Sequence, residues 1–273
     1  MTRFTTTTNH STAIKEIQLP RNSNKRIHLV GIKARVSTDI TLSSSDNITA
    51  TIKKSPFNGP KGIWIVDIKG KKTGTLTLEA KYDNKSVASV DITVFNKVLI
   101  TLAQPATAEG LLTRLFLAES INPGKTGVYN AENSKKSMLW MRKVIENRLS
   151  HKTPHIFSVP KKNKKDSYTI FDIVKAKNQF HGFEKYPDLD SAIKRNISAF
   201  ISNANNYNHS LRKQYADFIA NAKNAASANA LKNFNDPGSD KLFGWRTKGS
   251  SAPGGQFKVY QDLAGQTFYQ LND

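Results

Sequence analysis

The sequence predicts a multidomain β + α protein in which a β-sandwich is followed by a mainly α domain. Apolar and polar residues alternate from Ile17 to about Phe95, which is the period of strands with one buried face. After Pro105 the apolar residues recur at helical spacing instead. A length of 273 residues suits two ordinary domains. We therefore expect a polar N-terminal tail over 1–16, the sandwich over 17–100 and the second domain over 101–273.

The first part consists of short runs rich in β-branched residues, separated by turn residues. The pairs Asp46-Asn47 and Asp83-Asn84 lie in these gaps and are typical of turns. Several short strands of this kind are typical of a small sandwich. The runs predicted as strands are Ile27–Val36, Ile48–Ile52, Gly62–Ile68, Gly74–Tyr82 and Val87–Phe95. Their succession resembles bacterial Ig-like modules. No acid–base cluster stands out in this part of the sequence, so we expect a spacer, docking or binding role.

Four stretches of the second part carry apolar residues on one helical face. The predicted helices are Glu109–Glu119, Ser137–Leu149, Asp190–Asn203 and Ser210–Lys232. Beyond Gly238 the chain is rich in glycine, and we expect only two short strands there, at Phe257–Tyr260 and Thr267–Leu271.

Glu119 shares the apolar face of the first predicted helix, at i+7 from Leu112 and beyond Leu115 and Phe116. Removing a carboxylate from water favours its protonated form and raises its pKa. Such a group can act as a general acid near neutral pH. The alternative is a helix-end glutamate paired with one of the many basic side chains.

Composition limits the chemistry and the partners. The chain has 41 Lys and Arg residues against 21 Asp and Glu residues, a formal charge of +20 spread over both parts. A polyanionic neighbour is therefore expected, such as nucleic acid, anionic lipid or cell-wall polymer. There is no cysteine, and the six histidines show no metal-binding spacing, so we predict neither a metal nor a cofactor. The basic cluster 161–165 has the character of a solvated loop.

Several short motifs of the second part follow one another in an informative order. Ala118-Glu119 closes one helix and Asn147-Arg148 nearly closes the next, followed by Gln179-Phe180. Asp236-Pro237 and Phe268-Tyr269 come later. This succession resembles the SleB-type (spore-cortex-lytic) cell-wall hydrolase family over roughly residues 108–271. The chain departs from the family in the loop 121–137 and at Thr267. The resemblance implies a lysozyme-like domain that cleaves peptidoglycan.

The resemblance makes Glu119 the general acid that protonates the glycosidic oxygen. A lytic transglycosylase needs only this acid, whereas an inverting hydrolase needs a second carboxylate to activate water. Glu184 is the best second catalytic candidate, although we favour a binding or structural role for it.

Other residues are candidates for substrate binding. Gln179 could bind an N-acetyl group, and His181 could contact sugar or tune Glu119. The aromatic candidates are Phe180, Tyr186 and Tyr269, and for the two tyrosines core packing is the default interpretation. We expect Asn147 and Arg148 to form internal contacts rather than to bind substrate.

The favoured function is peptidoglycan glycan-strand cleavage by a lytic transglycosylase or muramidase. The start of the chain lacks a secretory signal, and no apolar run approaches the roughly 18 residues of a membrane span. We therefore expect a protein made in the cytoplasm without a signal peptide and not inserted in a membrane. It would be a secreted or injected antibacterial toxin acting in the target periplasm, like a type VI secretion effector, with secretion machinery and a periplasmic immunity protein as partners. The alternative is a phage-type lysin released by lysis, and we favour the effector.

Two competing functions follow from the same residues. A nucleic-acid-binding protein or nuclease would also explain the charge, but no recognition motif or metal-binding acidic cluster supports it, and we expect no nucleic-acid partner. A non-catalytic wall-binding module would require the helical part to be inert.

Overall fold

The computed structural model describes residues 1–43, 45–55, 62–163 and 166–272. The chain divides into two compact units, Met1–Leu99 and Ile100–Asp273. None of the helices in the described residues is long and apolar enough to span a membrane.

The described residues of the first unit form two four-stranded sheets around one apolar core. One sheet has the order β1-β3-β6-β5 and is antiparallel, and the other has the order β2-β8-β7-β4, in which β2 and β8 are parallel. Trp64, Val66 and Leu78 are among the buried residues of that core. The strands are β1 (Arg3–Thr5), β2 (Glu16–Pro20), β3 (Asn24–Val30), β4 (Ile40–Leu42), β5 (Ile48–Lys54), β6 (Trp64–Gly70), β7 (Gly74–Tyr82) and β8 (Lys85–Phe95).

The alternating pattern of the first unit arises because each strand buries one face. In β6 the residues Trp64, Val66 and Ile68 are buried and those between them are partly exposed. Asp83 and Asn84 both have positive φ and connect β7 to β8, as expected of a two-residue hairpin turn. Part of the segment predicted as a polar tail forms β1, which pairs with β3 and buries Phe4.

In its described residues the second unit packs five α-helices and a three-stranded antiparallel sheet around a separate core. The sheet has the order β10-β11-β9, and Leu242, Trp245 and Phe268 bring it into the core. The elements are α1 (Ala108–Glu119), α2 (Ala131–Ser150), α3 (Ile170–Val174), α4 (Ser191–Asn205), α5 (Arg212–Ala226), β9 (Leu242–Thr247), β10 (Phe257–Leu263) and β11 (Gln266–Leu271).

The prediction of a mainly α, lysozyme-like second domain is therefore wrong. Two of the three strands were expected as isolated short strands, but β9 was not, and β9 pairs with β11 along its length. The run Leu242–Thr247 contains a glycine and does not alternate in burial, so its local pattern resembles a loop. Pairing between distant segments is what makes it a strand.

Candidate active site

Packing of α1 fixes the position of Glu119. The helix begins with Thr107, whose side chain accepts a hydrogen bond from the Gly110 N–H at 3.0 Å. Leu112, Leu115 and Phe116 are fully buried on the face that Glu119 extends. Glu119 is the last residue of the helix, so its carboxylate lies at the negative end of the helix dipole.

The β-sheet holds Glu119 from the other side. The Gln266 side chain donates a hydrogen bond to the Glu119 carbonyl at 2.6 Å. The Ala264-Gly265 turn that precedes β11 approaches Ile121 closely, since a Cβ at Gly265 would lie 2.3 Å from the Ile121 side chain. The residues immediately after Glu119 are thus packed against this hairpin, which limits movement of the helix end.

Glu119 is partly exposed to solvent as a residue, but protein atoms surround most of its carboxyl group. Burial raises its pKa, while the Trp245 N–H and the nearby His181 act in the opposite direction. The Trp245 indole donates to Oε2 at 3.1 Å. Because the indole is only a donor, Oε2 is the acceptor in this contact, and Oε1 is the carboxyl oxygen that the indole does not engage.

A cleft of about 520 Å³ borders Trp245, whose indole donates to this carboxyl. Trp245 and His181, the two residues that act on Glu119, form part of its wall, although Glu119 itself does not. The wall combines aromatic and polar side chains, which suits sugar rings with their hydroxyl and amide groups. Its other side chains include Arg148, Phe157, Asn178, Gln179, Glu184, Arg246, Gln256 and Phe257.

The structure brings three of the predicted residues, Gln179, His181 and Glu184, into the cleft wall. Gln179 accepts a hydrogen bond from Arg148 at 2.9 Å and donates to Ser158 at 3.3 Å. Glu184 accepts the Gly182 N–H at 2.9 Å, which orients its carboxylate within the loop.

The three predicted aromatic residues are buried outside the cleft wall. Phe180 is 4% exposed and packs against Trp245 with ring centres 5.0 Å apart. Tyr186 and Tyr269 belong to the interior, at 2% and 3% exposed. Phe180 therefore packs against the wall residue Trp245 and helps to position it. The two tyrosines lie in the core, which was the default interpretation for them.

Sequence reasoning missed Trp245 and the aromatic wall residues Phe157 and Phe257. Trp245 lies on the unpredicted strand β9, opposite Phe268 of β11. The available signal was the tryptophan itself, one of only three in the chain, within a stretch interpreted as irregular.

Two other sequence features lie away from the cleft wall. Of the basic cluster 161–165, Lys164 and Lys165 lie outside the described residues, and Lys162 pairs with Asp172 at 2.7 Å. In the described residues no group of three or more His, Cys, Asp or Glu side chains is arranged to hold a metal ion.

The chain matches no family model and no curated protein. Among solved structures it is similar to the S-layer protein SbsC, at 14% identity and a TM-score of 0.26, over 33% of this chain and 13% of that chain. A fragment with SbsC domains 5-6 is 16% identical, with a TM-score of 0.27, over 38% and 47% of the two chains. The solution structure of Amebosin is 21% identical, with a TM-score of 0.24, over 33% and 94%. These TM-scores are too low to bear on fold or function.

Proposed function

We propose that this protein cleaves the glycan strands of peptidoglycan, as a lytic transglycosylase or muramidase, with Glu119 as its general acid and base. One observation carries the proposal, namely a carboxyl group whose pKa is raised by burial beside a cleft walled by Trp245 and polar side chains. The ordered motifs that resemble the SleB-type family support the same activity.

In the proposed reaction Glu119 donates the Oε1 proton to the glycosidic oxygen while positive charge develops at the anomeric carbon. The C–O bond to the leaving sugar then breaks. The resulting carboxylate withdraws a proton from the 6-hydroxyl of the same muramic acid residue, whose oxygen closes a 1,6-anhydro ring. In the muramidase alternative, water attacks instead and loses its proton to a carboxylate.

The role of Glu184 decides between the transglycosylase and the muramidase reactions. It is the one carboxylate among the described residues of the cleft wall. If it activates water, Glu184→Gln converts or abolishes the hydrolytic product. If it only orders the loop through the Gly182 N–H, the variant keeps the same products at a reduced rate. Mass spectrometry distinguishes anhydro ends from reducing ends.

The deciding experiment is the clearing of purified cell wall by the full chain and by Glu119→Gln. We expect a loss of roughly 10²- to 10⁴-fold, the usual contribution of a general acid. Glu109→Gln is the matched control, because Glu109 lies exposed in the first turn of the same helix. Unchanged clearing by Glu119→Gln would contradict the mechanism, and products cut only in the stem peptides would contradict the glycosidase assignment.

The biological setting belongs to the same proposal. The charge of +20 suits attraction to an anionic wall, and added salt should weaken that attraction. We propose that the protein is an antibacterial effector, secreted or injected into a target periplasm by machinery such as a type VI system. The first unit would serve loading or docking, and the producer would make a periplasmic immunity protein that blocks the cleft.

A further inference from the structure

Arg148, in the last turn of α2, forms part of the cleft wall while only 6% exposed. Its Nε donates to the Phe243 carbonyl at 2.6 Å, and Nη1 donates to Gln179 at 2.9 Å. The guanidinium also lies 4.9 and 5.4 Å from the ring centres of Phe157 and Phe180, within cation–π distance. The side chain is thus held rigidly at the cleft.

This buried cation forms no ion pair with any carboxylate in the described part of the chain. Arg142, the other buried arginine of α2, differs in this respect because it pairs with Glu146 at 2.6 Å. Burial lowers the pKa of Arg148 to about 9, so the side chain remains cationic at neutral pH. A buried charge without a partner is costly, which calls for a compensating anion.

The remaining nitrogen of Arg148, Nη2, is the part available to a ligand. It has no hydrogen-bond partner among the described residues, whereas Nε and Nη1 are both used. Gly244, another wall residue, lies beside it, and a Cβ there would be 3.6 Å from Nη2. The absence of a side chain at Gly244 leaves room for a ligand atom next to Nη2.

We propose that Arg148 binds a carboxylate of the glycan substrate through Nη2, so that the cleft selects strands that carry negative charge. This inference rests on the proposed function. A guanidinium is well suited to a carboxylate, and the pair gains strength where water is excluded. Two groups of peptidoglycan offer this chemistry, namely the lactyl carboxylate of a muramic acid without its peptide and the carboxylates of an attached stem peptide.

Calorimetry of the full chain carrying Glu119→Gln, which should slow turnover strongly, tests the proposal with three tetrasaccharides of alternating glucosamine and muramic acid. One has free lactyl carboxylates, one has those groups converted to primary amides, and one carries stem peptides. We expect the amide form to bind about 10- to 100-fold more weakly than at least one of the charged forms. The tighter of the two charged forms identifies the source of the carboxylate.

Variants then assign the preference to Arg148. Arg148→Gln should remove the discrimination between charged and amide ligands, and Arg148→Lys, which keeps the charge, should reduce it. Arg246→Gln is the matched control, because Arg246 also lies in the wall but is exposed and should retain the discrimination. If Arg148→Gln fails to fold, the three-ligand comparison and Arg148→Lys still decide.

Three results would overturn the inference. Equal affinity for all three ligands would leave a glycan-binding cleft without carboxylate recognition. A preference that Arg246→Gln removes as fully as Arg148→Gln would mean that general charge, not Arg148, is responsible. Absence of binding by all three ligands would also refute it, and wall clearing by the wild-type chain then decides separately whether the proposed function stands.

Discussion

The two units differ in whether their described residues include a largely enclosed ionisable side chain without an ion-pair partner. In the first unit, Arg26 of β3 forms two hydrogen bonds to Asp67 of β6, at 2.6 and 2.9 Å, on an exposed sheet surface. Lys72 and Asp46 form another exposed pair at 3.4 Å. Such pairs remain hydrated and contribute little to stability. Each charge in these pairs is balanced by its partner and remains hydrated, so neither pair indicates a catalytic site.

The second unit instead places Glu119 and Arg148 in largely enclosed sites without an ion-pair partner among the described residues. Glu119 accepts an indole N–H, and Arg148 donates to a carbonyl and an amide oxygen. These neutral partners only partly replace the lost hydration of a charge. Perturbed ionisable groups beside a cleft are typical of functional sites, whereas hydrated surface pairs are not. The contrast supports placing the proposed chemistry in the second unit.

The largest expected effect concerns the packing that holds Glu119 in place. A Cβ at Gly110 would lie 2.0 Å from the Gln104 carbonyl oxygen and 3.0 Å from the Thr107 side chain that caps α1. Gly110→Ala must therefore displace the start of the helix. We expect the free energy of unfolding to fall by about 3 kcal/mol, measured by urea denaturation.

Gly254→Ala is the control for this substitution. Gly254 has no neighbouring atoms within 4 Å of an added Cβ, so the change should alter stability by less than about 1 kcal/mol. If Gly110→Ala were as stable as this control, the start of α1 could shift at little cost. Tight packing of α1 would then not explain how Glu119 is held in place.

Local periodicity accounts for much of the fold. The runs ending at Tyr82 and Phe95 coincide with the ends of β7 and β8, and the run 109–119 differs from α1 by one residue. In these elements the burial of one face imposes the pattern directly. The sheet of the second unit was misjudged because β9 acquires its structure from pairing with β11, which no local spacing encodes.

The sequence predicted part of the candidate site, since Gln179, His181 and Glu184 lie in the cleft wall. Glu119 was identifiable as a carboxylate on an apolar face. Arg148 follows several charged residues in α2, and its burial depends on the carbonyl of Phe243, 95 positions later in the sequence. Trp245 reaches Glu119 across 126 positions. Contacts between residues so far apart in the sequence are set by tertiary packing. The local sequence pattern therefore indicates neither Phe243 as the partner of Arg148 nor Trp245 as the partner of Glu119.

The second prediction concerns the hydrogen bond that the Trp245 indole donates to the enclosed Glu119 carboxyl. Trp245→Phe keeps an aromatic ring against Phe180 but removes the N–H that lowers the pKa of Glu119. The pKa should rise further. Because the acid must be protonated to donate, the alkaline limb of the pH–rate profile for wall clearing should move to higher pH. Loss of this oriented contact should also reduce the maximal rate about tenfold.

Trp140→Phe provides the comparison. The Trp140 indole donates to Asp236 at 2.9 Å, so this variant also loses an indole hydrogen bond to a carboxylate, but one that does not contact Glu119. Its alkaline limb should coincide with that of the wild-type chain. An equal shift in both variants would show that the limb reports something other than the Trp245–Glu119 contact.

The smallest expected effect concerns the pH dependence of stability, to which Glu119 and Asp67 should contribute with opposite signs. Burial raises the pKa of Glu119, so the folded state retains that proton above the ordinary glutamate pKa, and stability is lost as pH rises through the raised value. The Arg26 contact lowers the pKa of Asp67, so its contribution is present above the ordinary aspartate pKa and is lost as pH falls through the lowered value.

Urea denaturation over a pH series from about pH 3 to about pH 8, which spans the ordinary pKa values of Asp and Glu, should therefore separate Glu119→Gln from Asp67→Asn. Relative to the wild-type chain, Glu119→Gln should gain stability as pH rises, because the amide never carries the buried charge. Asp67→Asn should lose stability as pH rises, by less, because its ion pair is exposed to solvent. Curves of the same sign for both variants would mean that Glu119 is stabilised as a charge, which would remove the reason for assigning it the role of a general acid.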